Sequence, residues 1–117
     1  MDSKTSQQIV SGPWDNRSNE MEEQLPSALV ATMWLCLLQA VEQRYLDELG
    51  DCNMAVAFDL GIAVQVAEEE SIPLADLMVE VFEFYNEKLE LSLPSTPLAV
   101  QVARNYETAL QTQHLLH

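Results

Sequence analysis

Carboxylates and thiols are the residues in this chain that could do chemistry: 19 Asp and Glu, two Cys, and two His at positions 114 and 117. Five acids, Asp76, Glu80, Glu83, Glu87 and Glu90, are spaced 4, 3, 4, 3. At ~100° per residue of helix they stay within about 80° of arc and form one row, ~21 Å long at ~1.5 Å rise. Rows of acids can bind metal ions or transfer protons. A di-metal site between helices needs a Glu-x-x-His pair on each of two helices, projecting inward. Neither His114 nor His117 has Glu three positions before it, and the five acids lie opposite an apolar face. They are expected to point to water. No twelve-residue Asp-rich calcium loop with a central Gly is present. No metal ligand is assigned.

Nucleophilic catalysis is equally unsupported. Cys36 and Cys52 form no CxxC or Cys/His pattern and are read as two reduced thiols. Cys52 falls near an expected helix start, which favours thiolate, but Asp51 beside it opposes that. There is no GxSxG, and no His within the expected core to serve as a base. Gly12, Gly50 and Gly61 stand alone, so no phosphate-binding loop exists. No catalytic residue and no cofactor are expected.

What remains is charge. The formal net charge is −14, and between Glu42 and Glu90 there are 13 acids against Arg44 and Lys88. That stretch is also rich in Leu, Val, Ile, Phe and Ala, and the chain is 48 % hydrophobic, too much for a disordered protein. A folded, strongly acidic protein repels nucleic acid and anionic membranes and favours basic protein surfaces. No secretory signal is evident in residues 1–24. The apolar run 28–38 is too short to span a membrane, which takes roughly 20 residues. A cytoplasmic protein is expected.

These groups must be held by an all-α, four-helix bundle-like domain over residues 25–117, preceded by a flexible tail over 1–24. The tail is polar and aperiodic, with Trp14 a lone aromatic in it. Pro26 and Ser27 start a first helix that Gly50 stops, giving 27–49. Its first half is apolar all round; its second half carries Val41, Tyr45 and Leu49 on one line. Residues 53–67 alternate like a strand, but Phe58, Ile62 and Val66 also follow helical spacing. Fifteen residues is long for a strand, usually ~5–6, so the segment reads as helix. Ser71 reads as the N-cap of a third helix with Pro73 in its first turn, and Thr96 as the N-cap of a fourth, with Pro97 first and an end near Gln113.

The stretch 66–78 resembles the helix–turn–helix junction of ribbon-helix-helix and related DNA-binding domains, through Glu68 to Glu70, Ser71, Pro73 and the apolar Leu74, Leu77 and Met78. The preceding segment has no basic reading face and the second helix is acidic, while phosphate contacts need Lys or Arg. The likeness is one of junction geometry, with no direct nucleic-acid binding implied. The function expected is a non-catalytic acidic protein-interaction module (an adaptor, small chaperone or regulator) that meets a protein partner through Asp76, Glu80, Glu83, Glu87 and Glu90. The alternative uses the same row as an imitation of phosphates. In general character the chain resembles DNA-mimic inhibitors, and Lys88 alone relieves the like-charge repulsion. A helix apolar on every side must be covered on several sides. A homodimer through Leu29, Met33, Trp34 and Leu37 is therefore expected.

Overall fold

The computed structural model describes residues 26–116; the expected tail and Trp14 within it lie outside them. All regular structure among the described residues is helical: α1 Ser27–Ala40, α2 Gln43–Leu49, α3 Asn53–Glu70, α4 Leu74–Leu89 and α5 Ser95–Leu116, with a 3₁₀ turn over Gly50–Cys52. The all-α expectation holds.

The first helix is not continuous over 27–49. Val41 (φ −93, ψ 142) and Glu42 (φ −71, ψ 150) are extended and separate α1 from α2. The reason is angular. Eighteen residues of α-helix make five whole turns, so an unbroken helix would place Tyr45 directly above Ser27 and Leu49 directly above Ala31, both exposed positions. The break resets the azimuth, and Val41, Tyr45 and Leu49 are all buried. Val41 N–H still closes on Leu37 O at 2.9 Å, and Glu42 O accepts from Tyr45 N–H at 2.9 Å, so both helix ends stay bonded. Tyr45 Oη donates to Ser92 O and accepts from Arg44 Nη2, each at 2.9 Å, which ties α2 to the connector before α5.

Gly50 joins α2 to the 3₁₀ turn at φ 56, ψ −127, a conformation that requires glycine. Residues 53–67 are helix, extended to Glu70. Their strand-like alternation reflects burial on most sides: Ala55, Val56, Ala57, Asp59, Leu60, Gly61, Ile62, Ala63, Val64 and Val66 are all buried. The run Gln43–Glu70 is long and apolar enough, by length and composition, to cross a membrane, yet 61 % of its apolar window is buried inside the fold. Its apolarity is used by the core.

Ser71 does not cap α4. It closes α3 in the left-handed conformation (φ 55, ψ 45), with Ile72 N–H bonded to Ala67 O at 3.1 Å. This is the six-to-one closure of a Schellman motif, whose usual apolar contact is supplied by the partly buried Ile72. Pro73 is the residue that precedes α4. The far end of α4 repeats the device: Glu90 is left-handed (φ 56, ψ 47) and Leu91 N–H bonds Asn86 O at 2.9 Å. Helix α5 begins at Ser95, one residue before the expected cap, with Leu98 N–H on Pro94 O at 2.9 Å, and it runs past Gln113 to Leu116.

Helix α1 packs on α3 and α5, and α4 packs on the same two helices. The core between them holds Met33, Leu37, Val56, Leu60, Ile62, Met78, Phe82, Tyr85 and Val102. Thus α1 and α4 share their main neighbours and lie on opposite flanks of the α3–α5 pair.

Candidate functional site

Helix α4 turns one face to the core through Leu77, Met78, Val81, Phe82 and Tyr85. That burial fixes the opposite face. Asp76, Glu80, Glu83, Glu87 and Glu90 are all exposed, as their spacing requires. The first four share the helix, a row of about 17 Å at ~1.5 Å per residue. Glu90 departs from the line, because its left-handed backbone ends the helical repeat there. Asp76 lies in the first turn and Lys88 in the last, each at the end of the helix dipole that favours its sign. The Lys88 ammonium sits 5.7 Å from the centre of the Phe84 ring, to one side of the row and not within it. Neighbouring acids one turn apart are ~5–6 Å apart at Cβ, so the field of the row is cumulative.

The four side chains expected at an interface turn toward the core of their own chain. Met33 and Leu37 are 0 % exposed and belong to the core, so they cannot reach another molecule while the fold is intact. Leu29 and Trp34 are half-buried against that core. The exposed residues of α1 are Ser27, Ala28, Ala31, Leu35, Leu38 and Gln39; Leu35 is 58 % and Leu38 37 % exposed. In a helix without charge the core line and the outer line are alike in composition, and packing against α3 and α5 decides between them.

A groove of 380 Å³ separates α1 from α5, lined by Thr32, Leu35, Cys36, Gln39, Asn105 and Thr108 among others. Asn105 Nδ2 donates to Cys36 O at 3.2 Å, and Gln101 Nε2 donates to Asn105 Oδ1 at 2.9 Å. A smaller hollow of 180 Å³ beside it includes Ala28, Leu29, Tyr106 and Leu110. Cys36 is the one candidate nucleophile here, and burial pushes its thiol up from the ordinary 9.0. The Tyr106 phenol is likewise pushed up, by burial first and then by the Glu68 and Cys36 charges. Both shifts favour the protonated, unreactive form. Both cysteines are free thiols.

Asp59 is an acid outside the carboxylate row and buried. It is fully buried on α3, and Tyr85 Oη of α4 donates to its Oδ2. Its position between Phe58 and Leu60, inside an apolar stretch, could have singled it out. Neither groove reaches this pair. The pair therefore joins α3 to α4 beneath the carboxylate row. Asn86 has a comparable role at the surface: its Nδ2 donates to Leu93 O and Ser95 Oγ at 2.9 and 3.0 Å, and its Oδ1 accepts from Leu93 N–H at 2.7 Å. Among the described residues no group of three or more His, Cys, Asp or Glu is gathered as metal ligands would be. No protein-family model, curated protein or solved structure matches the chain.

Proposed function

We propose that the protein is a non-catalytic, acidic protein-interaction module — an adaptor, small chaperone or regulator — working in the cytoplasm as a dimeric four-helix bundle-like domain. Its partner is a basic protein surface, bound through Asp76, Glu80, Glu83 and Glu87, with Glu90 beside them; it binds neither nucleic acid nor membrane directly. The observation that carries this reading is the exposure of the whole carboxylate row on a helix whose other face is buried, with Lys88 drawn aside onto Phe84. Such a row needs no rearrangement to meet Lys and Arg, and each contact gains from its neighbours' charge. A DNA-mimic inhibitor is the second reading, favoured by the same lack of compensating cations at one-turn spacing.

The test is capture of partners from host extract by the full chain and by the triple variant Glu80→Gln, Glu83→Gln, Glu87→Gln, at low and high salt. Loss of capture by the variant, with helicity retained, is expected. Retained capture would remove the row from the binding surface and with it the mimic reading. Duplex DNA added as competitor separates the two: it displaces a mimic from a nucleic-acid site and leaves an adaptor's partner in place.

A further inference from the structure

We infer that the outer face of α1 is a two-fold, antiparallel self-association surface in which each of Ala28 and Ala31 meets a leucine of the other copy. The inference rests on the dimeric part of the reading above and identifies the surface and its occupant. Ala28, Ala31, Leu35 and Leu38 are spaced 3, 4, 3, the a/d pattern of a coiled-coil seam, and lie within about 80° of arc. All four are exposed.

Two observations specify a second copy. The first is self-complementarity. An isologous contact requires that if residue i meets j, then j meets i. Turning α1 about a two-fold axis level with Met33 sets Ala28 opposite Leu38 of the other copy and Ala31 opposite Leu35, and the reciprocal pairs follow. Every layer then holds one small and one large side chain, the alternation that lets facing helices interdigitate. A parallel pairing would set Leu on Leu and Ala on Ala, leaving two wide layers and two empty ones.

The second is charge. Helix α1 contains no ionisable side chain other than Cys36, and the groove beside it, with Thr32, Gln39, Asn105 and Thr108, adds none. In a chain of net charge −14, copies repel through the acidic faces of α2, α4 and the end of α3. Approach through α1 brings no charge together, since α4 and its carboxylates lie on the far side of α3 and α5. A basic partner has no counter-charge to find on α1 and is directed to α4.

Sedimentation equilibrium of the full chain at micromolar concentration is the first measurement, and the expected mass is twice 13.2 kDa. Leu35→Glu places two carboxylates in the central layers and should weaken association at least ~100-fold. Because Leu35 is largely exposed, circular dichroism of this variant should retain the helical signal. For register, Ala31→Cys and Leu35→Cys chains, each also carrying Cys36→Ala and Cys52→Ala, are mixed and oxidised. The mixed disulfide between positions 31 and 35 should dominate, since bridging needs Cα atoms within ~7 Å. A monomer at all concentrations would overturn both this surface and the dimeric reading. A dimer that Leu35→Glu leaves intact would overturn the surface and leave the dimer standing on another face. A dominant 31–31 disulfide would overturn the antiparallel pairing.

Discussion

Replacing Tyr85 by Phe removes one oxygen from the centre of the molecule, and its cost can be worked from the contacts. Tyr85 and Asp59 are each fully buried, and the phenol donates to the carboxyl across the α3–α4 contact. The ring of Phe fills the same space, so no cavity accompanies the change. What is lost is the phenol's hydrogen bond to a carboxyl in a water-excluded site, where a buried group left unsatisfied costs about 1–3 kcal/mol. A destabilisation of about 2 kcal/mol lowers the melting temperature of a domain this size by about 8–16 °C. Asp59→Leu should cost a similar amount. The double variant should be more stable than the sum of the single losses implies, because replacing both partners by apolar groups removes the desolvation each imposes on the other. Urea unfolding of the four proteins gives the coupling energy directly, expected at about 1–2 kcal/mol. Tyr85→Phe within about 0.5 kcal/mol of the parent, the usual scale of a neutral substitution, would refute the claim that this pair holds α3 to α4.

Asn86→Ala deletes three hydrogen bonds to the connector and the start of α5; a loss of about 1–3 kcal/mol in chemical unfolding is expected, with amide exchange at Leu93 accelerated. Glu90→Gly relieves a left-handed non-glycine residue and should raise stability by about 1 kcal/mol, read as a higher denaturant midpoint. For the buried thiol and phenol the sign follows from pKa values raised on folding. The stabilisation they report is complete below their ordinary values of 9.0 and 10.0 and is lost as pH rises through the higher folded values, so thermal stability should fall above pH 9. Cys36→Ala should blunt the onset of that fall, and in the parent a thiol reagent should modify the partly exposed Cys52 before Cys36.

Helix positions were legible in the sequence wherever one face is apolar and the other charged. The 3.6-residue period of α4 placed its core line and the carboxylates from Asp76 to Glu87, while Glu90 falls past the end of the helix. Boundaries were less legible where two devices use the same residue type. Ser71 is a good N-cap by chemistry, yet the left-handed closure of α3 claims it first, and Pro73 then precedes α4 with its fixed φ. Nor could composition alone orient α1. With no charge on either side, the core line of Met33 and Leu37 and the outer line of Leu35 and Leu38 look alike, and only packing against α3 and α5 separates them. The break at Val41 and Glu42 carries no Pro or Gly to announce it. It follows from the eighteen-residue return of the helix, which sets Tyr45 and Leu49 over exposed positions.

If copies pair through α1 as inferred above, the separation of α1 from α4 by α3 and α5 makes valency a property of the assembly. Such a pair would carry each carboxylate row on a helix that α3 and α5 separate from the joint. Each row can then engage a separate basic site, and the second engagement is intramolecular. Avidity can exceed the affinity of one row by 10²–10⁴-fold when both sites are within reach, and it vanishes when geometry forbids the second contact. A partner with repeated basic patches at matching spacing would be retained, while single basic surfaces would be released quickly.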